Sequence, residues 1–447
     1  MGPDSWVPPV WSYGPILLAL VATPAPAGTE SSSGALTLAE ALRLAAVNNE
    51  VPAIARARVD RAKAARQEAY YNLLPVLSTS GTYTRRAYEV RRTLGTQEVV
   101  VQKFDALQAD LQLNWDLFDA RAFAGISATQ HQLEAQTLES KELLRNLAFE
   151  VAESFYAVLS AERLKEAADR RFHAAEETFA DAQGRVEAGL AARNEATRTQ
   201  LELANARLAL QQARTAVVKA RLSLSYLVDQ RLDTRPIAEP ERRVLPRATP
   251  ETLEGVALEQ RADLRAVAER SEQARALAKE PWLRLLPTLG LRGLVRASNE
   301  TGFVGQTVDG NVAATLSWTL FDGGIRYAQA AQLAAQLEEI ELNEKAIRRR
   351  LGLDLRNALA DLADAEASVD QAEVRAQVAE QNAEEVRALF GTGLASALEQ
   401  VDAAVSQFEA AAELARQRVR RRVAELSLFR VMGDWPVEAQ GDRDAKP

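Results

Sequence analysis

His131 and His173 are the whole imidazole complement of a 447-residue chain that contains no cysteine. Without thiols, a Cys-ligated zinc, an iron-sulfur cluster, a cysteine nucleophile and a disulfide are all excluded. Both histidines fall in one long helical segment with no partner at ligand spacing, so they are expected on the helix surface, with no metal and no other cofactor. Gly323 and Gly324 follow Asp322 in a superficial likeness of a phosphate loop, but the Lys and the wider glycine spacing are missing, and a strand-to-helix turn is expected instead. The runs Arg348-Arg349-Arg350 and Arg420-Arg421-Arg422 read as solvated helix faces. Nothing here assembles a catalytic constellation, so an enzyme is not expected. Lys+Arg 54 against Asp+Glu 62 leave a formal charge of −8, which offers no basic surplus for a nucleic acid.

The elements that carry these residues are mostly long helices. Hydrophobic content is 47% with 26% charged residues and only 6% aromatics, and Ala, Leu, Arg, Glu and Gln dominate long stretches, as in coiled coils. At the start, the apolar run Ile16 to Ala22 is too short to span a bilayer and is followed by Ala25-Pro26-Ala27, a small-x-small cleavage pattern. Residues 1–27 therefore read as a signal peptide, although no Lys or Arg precedes Arg43. No later run is apolar enough for a transmembrane helix, so any membrane insertion must use strands.

Three strings recur in the same order. Leu73-Leu74-Pro75 returns as Leu285-Leu286-Pro287, Trp115-Asp116-Leu117-Phe118-Asp119 as Trp318-Thr319-Leu320-Phe321-Asp322, and Ala188-Gly189-Leu190-Ala191 as Thr392-Gly393-Leu394-Ala395. The separations are 212, 203 and 204 residues, so the first copy carries a longer loop between its Pro and its Trp. Residues 36–228 and 250–433 are the expected repeats, 229–249 with Pro236, Pro240 and Pro246 the linker, and 434–447 a polar tail. Each repeat reads as helix, helix, strand, strand, very long helix, helix. Thr37 with Glu40 forms an expected capping box, and Thr249 an N-cap. Segments at about 121–187 and 324–390 lack helix breakers and would run roughly 100 Å each. In the second, Ala358, Leu362, Ala365, Val369, Ala372, Ala376, Ala379, Ala383, Val386 and Phe390 form an unbroken heptad seam.

The strands alternate. Leu107, Ala109, Leu111, Leu113, Trp115 and Leu117 interleave without exception with polar residues; Leu289, Leu291, Gly293 and Val295 alternate with Gly290, Arg292, Leu294 and Arg296, and Val312 to Leu320 with Ala313, Thr315, Ser317 and Thr319, while the strand after Pro75 is weaker. Such lengths suit either a tilted transmembrane strand or a soluble half-buried hairpin. In lipid the four strands cannot close alone; two copies would make a filled barrel of about eight strands, and three would leave a lumen.

The ordered strings, present twice, make the chain resemble the TolC-like outer membrane efflux protein family across residues 36–433. The resemblance implies a mainly α fold with a small β part: a homotrimer whose α-helical barrel continues into a transmembrane β-barrel with four strands per chain. It implies a bacterial outer membrane location with a large periplasmic portion. It also implies a passive exit duct in a tripartite efflux or type I secretion system, partnered by a periplasmic adaptor, an inner-membrane pump and outer membrane lipid. Gly189, Leu190, Gly393 and Leu394 match the family's adaptor-docking helix tips, and Glu399 and Asp402 the acidic pair of the closed pore entrance. Here Glu399 replaces the family's common Asp, and Ala395 stands where some members have a gate-locking Arg. Without the resemblance, acids at a helix start are ordinary dipole partners. The competing function is a soluble periplasmic coiled-coil scaffold or adaptor, which would need the helices but not the strands.

Overall fold

The computed structural model describes residues 34–94, 97–233, 235–240, 249–300 and 306–436; the expected signal peptide, part of the linker and most of the tail lie outside these. In the first half, α1 (Leu38–Asn48) and α2 (Glu50–Tyr71) precede β1 (Val76–Arg85), β2 (Val90–Leu94), β3 (Gln97–Gln102) and β4 (Asp105–Phe118), then α3 (Ala120–Glu187) and α4 (Arg193–Val228). The second half holds α5 (Pro250–Gln260), α6 (Ala262–Ala278), the single turn α7 (Glu280–Leu283), β5 (Thr288–Ser298), β6 (Val308–Ser317), α8 (Ile325–Gly391) and α9 (Ala397–Met432). The extra residues of the first loop are thus a hairpin of their own, β2 on β3, separate from the four-stranded sheet.

Helix starts follow local chemistry. Thr37 accepts from the Glu40 backbone N–H at 3.2 Å, while the Glu40 carboxylate takes a hydrogen bond from Arg235 at 2.7 Å. Thr249 caps α5 through the Thr252 N–H at 3.4 Å. The expected box at Thr37 is therefore an N-cap plus a tether to the strap that follows α4, where Leu36 also bridges to Ile237.

At 68 and 67 residues, α3 and α8 are each about 100 Å long. Neither could stand alone; α3 pairs with α4, α8 pairs with α9, and α3 also meets α6 and α9. Every residue of the heptad seam of α8 is buried or half-buried. Leu355, Ala358, Leu362 and Ala365 pack with Ala424, Leu428 and Met432 of α9, the small alanines letting the two axes approach. Around the middle of the rods, Phe149, Val151, Phe155 and Val158 of α3 gather Leu36, Ala41, Leu224, Val228 and Phe429 into the largest core cluster. The chain leaves α9 through Gly433, at φ +86°, where a Cβ would lie 3.0 Å from the Arg261 backbone nitrogen. Arg420 pairs across to Asp364 of α8 at 2.8 Å with both side chains more than half exposed, as on a solvated face, whereas Arg421 and Arg422 are mostly covered and pair with Glu425 of their own helix.

The sheet has the order β1-β4-β5-β6, antiparallel throughout, with β1 and β6 as free edges. Its register puts Leu77, Leu113, Gly293 and Val312 in one row and Ser80, Asp110, Arg296 and Asp309 in another. One face is apolar along β4, β5 and β6 and only in part on β1, where Leu77 and Tyr83 share it with Thr79 and Gly81, the other face is mainly polar, and both edge strands are exposed along their whole length. No described helix is long and apolar enough to cross a membrane.

Two strand expectations need correction. A bulge between Asp116 and Phe118 puts Phe118, not Leu117, opposite Leu289. In the second half the strand stops at Ser317 instead of reaching Leu320. Ser317 pairs with Thr288, the residue after Pro287, and a proline has no N–H with which to continue the ladder.

Candidate functional site

The far end of the rods is built from two matched turns. After α3, Gly189 at φ +72° donates to the Val186 carbonyl at 3.0 Å and Leu190 to Arg185 at 2.8 Å. After α8, Gly393 at φ +79° donates to Phe390 at 3.0 Å and Leu394 to Leu389 at 2.9 Å. Both are Schellman motifs, in which a left-handed residue lets two amides turn back onto the last carbonyls. Glycine is required for that backbone angle and not for a close approach, since a Cβ at either position would meet nothing within 4 Å. Leu190 and Leu394 stand out at 81% and 78% exposure, so the apolar tip of each turn is uncovered among the described residues.

The re-entering helices start differently. Ala192 gives α4 no side-chain cap. Ser396 and Glu399 give α9 a reciprocal capping box: Ser396 Oγ accepts from the Glu399 N–H at 3.3 Å, and the Glu399 carboxylate accepts from the Ser396 N–H at 2.7 Å and its hydroxyl at 2.9 Å. The backbone N–H of Ser396, helped by its hydroxyl, holds the Glu399 carboxyl below the usual carboxylate range. The motif Ser-x-x-Glu was present in the sequence as the signal for this box.

Asp402 is exposed one turn further on. The rotation of α9 is fixed by Gln400, whose amide donates to Thr178 of α3 at 2.9 Å in a half-buried contact. At about 100° per residue, Glu399 and Asp402 lie roughly 100° and 160° round from Gln400, on one face turned away from α3. The two acids expected together are on a common side, with Glu399 engaged by its own helix start.

The two tips are also tied to each other. Arg185 donates to the Phe390 carbonyl at 2.6 Å and its guanidinium lies 4.3 Å over the Phe390 ring. Nearby, Arg171 donates to Glu202 at 2.8 Å with both side chains largely buried, joining α3 to α4. Arg185 carried no signal in the sequence beyond being a base in the last turn of its helix.

At the opposite end the two other repeated strings meet. Trp115 Nε1 donates to the Leu73 carbonyl at 2.9 Å, and Trp318 Nε1 to the Leu285 carbonyl at 3.0 Å. The Asp that closes each string starts the next helix: Asp119 accepts from the Arg121 N–H at 2.9 Å, and Asp322 from the Gly324 and Arg326 amides at 3.1 and 3.2 Å. Gly323 and Gly324, at φ +70° and +89°, form the strand-to-helix turn and no phosphate cradle. On the polar face of the sheet, Arg296 pairs with Asp110 at 2.8 Å.

This is a rod of paired helices joined to a small sheet, with one end capped by matched glycine turns. The sequence profile of the outer membrane efflux protein family matches residues 41–228 and again 253–434. The chain belongs to the outer membrane efflux protein family. Its fold is that of a membrane protein from Pseudomonas aeruginosa (19% identity, TM-score 0.77, 90% of this chain and 92% of that one). It is likewise that of the Campylobacter jejuni CmeC outer membrane channel (15%, 0.76, 99% and 97%) and of VceC from Vibrio cholerae (18%, 0.74, 90% and 97%). No curated protein sequence matches the chain. As a member of this family it is an outer membrane efflux channel, a passive conduit rather than an enzyme, and a soluble scaffold is not favoured.

His131 departs from its expectation. Its Nδ1 lies 2.8 Å from the Glu269 carboxylate of α6, and Glu134 approaches from one turn further along α3. The partner comes from 138 residues away in the chain, where no spacing rule along α3 could find it. His173 sits exposed beside Glu176 at 3.2 Å, on the helix surface as expected.

Proposed function

We propose that three copies assemble into the exit duct of a tripartite efflux or type I secretion system, with β6 of each copy pairing with β1 of the next. The observation that carries this reading is the sheet. A four-stranded sheet with a largely apolar face and two long bare edges has nothing among the described residues to cover either. In lipid every edge must be paired, and three copies supply about twelve strands, enough to leave a lumen. The apolar face then meets lipid, and the row of Ser80, Asp110, Arg296 and Asp309 lines the channel. A second uncovered stripe supports the same assembly: Leu201, Leu208 and Leu222 of α4 are each more than half exposed and repeat at seven-residue multiples. That is a helix seam awaiting a neighbouring copy.

In this reading Gly189, Leu190, Gly393 and Leu394 are the docking tips for a periplasmic adaptor, through which an inner-membrane pump is reached. Glu399 and Asp402 line the entrance, with Asp402 the freer of the two.

Assembly is tested by single-cysteine substitutions along β1 and β6 in a chain that has no cysteine of its own. Oxidation of one β1 and one β6 substitution in the same chain should give covalent trimers in mild detergent. A monomer retaining its full β signal would overturn the barrel.

A further inference from the structure

We propose that His131, Glu134 and Glu269 form a binding site for a divalent cation of the Zn2+ class, clamping α3 to α6. One ligand atom from each residue lies within 4.8 Å of the others. Around a tetrahedral zinc with bonds near 2.0–2.2 Å, ligand atoms sit about 3.4 Å apart, so the longest separation needs to close by at most about 1.4 Å. Small side-chain rotations supply that, and the shortest link, the hydrogen-bonded His131 Nδ1 to Glu269 at 2.8 Å, opens by about 0.6 Å to admit the ion.

The donors come from rigid elements. His131 and Glu134 are three residues apart on one face of α3, the i,i+3 spacing of the Glu-x-x-His motif of metal-binding helix bundles in the reverse order. Glu269 faces them from α6, a helix of the other half of the chain. Behind them stands a supporting layer: Gln130 donates to Glu134 at 2.6 Å and itself accepts from Arg66 of α2 at 2.7 Å. Such outer contacts aim a ligand and are the usual companions of a metal site. The neighbouring Arg270 is paired with Glu139, which keeps its guanidinium off Glu269.

Chemistry selects the ion. One neutral imidazole and two carboxylates balance a divalent charge, and three protein ligands leave a position for water. With neither thiolate nor thioether in the set, Cu+ is disfavoured; with one nitrogen and few oxygens, so are Ca2+ and Mg2+. An ion here would join the first half of the chain to the second, close below the sheet.

The test uses the full-length, tag-free protein in detergent after chelator treatment. Calorimetric titration with Zn2+ should give one ion per chain, and Co2+ should give the visible absorption of a tetrahedral site. His131→Gln and Glu269→Gln should each weaken binding by tenfold or more. His173→Gln, on the same helix, should leave it unchanged. If either of the first two variants melts early, the exposed Glu134→Gln decides, with the same tenfold loss expected. Absence of saturable one-per-chain binding in the unaltered protein, or equal binding by it and all three ligand variants, would overturn the site.

Discussion

Trp318 reaches the backbone carbonyl of Leu285 at 3.0 Å, and 203 residues earlier Trp115 makes the same bond to Leu73 at 2.9 Å. Two strings that recur independently in the sequence are thus the two ends of one hydrogen bond, made twice. Each bond staples the end of a helix pair to the base of the sheet, just where a proline has stopped the helix. Replacing Trp by Phe keeps the ring and removes the donor. We expect Trp115→Phe and Trp318→Phe each to cost about 0.5–1.5 kcal/mol, nearly additively, as read from denaturant unfolding.

Three glycines with positive φ should respond unequally to alanine. At Gly393 a Cβ meets nothing, so only the left-handed backbone is penalised, by roughly 1–2 kcal/mol. At Gly433 the same penalty is joined by a clash with Arg261 and Gln260, where the new atom would sit 3.0 to 3.1 Å from backbone. Thermal melts should therefore rank Gly433→Ala below Gly393→Ala, with Gly189→Ala close to the latter.

Glu399 should make the start of α9 sensitive to acid. Its folded carboxyl is held below the ordinary value by the Ser396 N–H and hydroxyl, so the box is fully stabilising above about pH 4.3, the ordinary glutamate value. That contribution is lost as pH falls through the lower, folded value. The hydrogen-exchange protection factors at residues 396–402, corrected for the intrinsic slowing of exchange in acid, should fall on acidification in the unaltered chain. Glu399→Ala, which removes the box outright, should show the lowered protection already at neutral pH.

Asp402→Asn should reduce cation selectivity in planar bilayers more than Glu399→Gln does. Three copies would bring the Asp402 carboxylates together at a low-dielectric constriction, which focuses their potential, while Glu399 is partly occupied by its own helix start. Block by multivalent cations from the periplasmic side should weaken in the same order. Equal reversal potentials in all three proteins would return both acids to the role of exposed dipole partners.

Arg185→Gln should loosen the two tips from each other, because it removes both the ring contact with Phe390 and the charge on its carbonyl. Spin labels at Leu190 and Leu394 should report a broader distance distribution. Circular dichroism should stay unchanged, since neither helix depends on this contact for its backbone.

Periodic features were legible in the sequence because a period is a local property. The seam from Ala358 to Phe390 and the bounds of α3 and α8 could be read from spacing and from the absence of breakers. The bulge at Asp116 to Phe118 was hidden because the apolar alternation continues through Leu117 as though the ladder were regular. Strands β2 and β3 showed only as excess length, since Arg91-Arg92 interrupts any alternation. At the tips, glycine marked both turns, but the Ser396 box was overshadowed by the acidic pair that contains half of it. Contacts such as Arg185 to Phe390 and His131 to Glu269 join residues more than 100 positions apart and leave no local trace.

The near-equality of the rods has a consequence for how such a chain can change. Helices α3 and α8 have 68 and 67 residues, and α4 and α9 have 36 each. Arg185 to Phe390 and Gln400 to Thr178 hold the two hairpins level. Seven residues added to α8 alone would slide its turn about 10 Å past that of α3 and leave Arg185 facing the wrong stretch of helix. The reach of the duct is therefore not adjustable one mutation at a time; it can grow or shrink only in whole heptads inserted or removed in all four helices together.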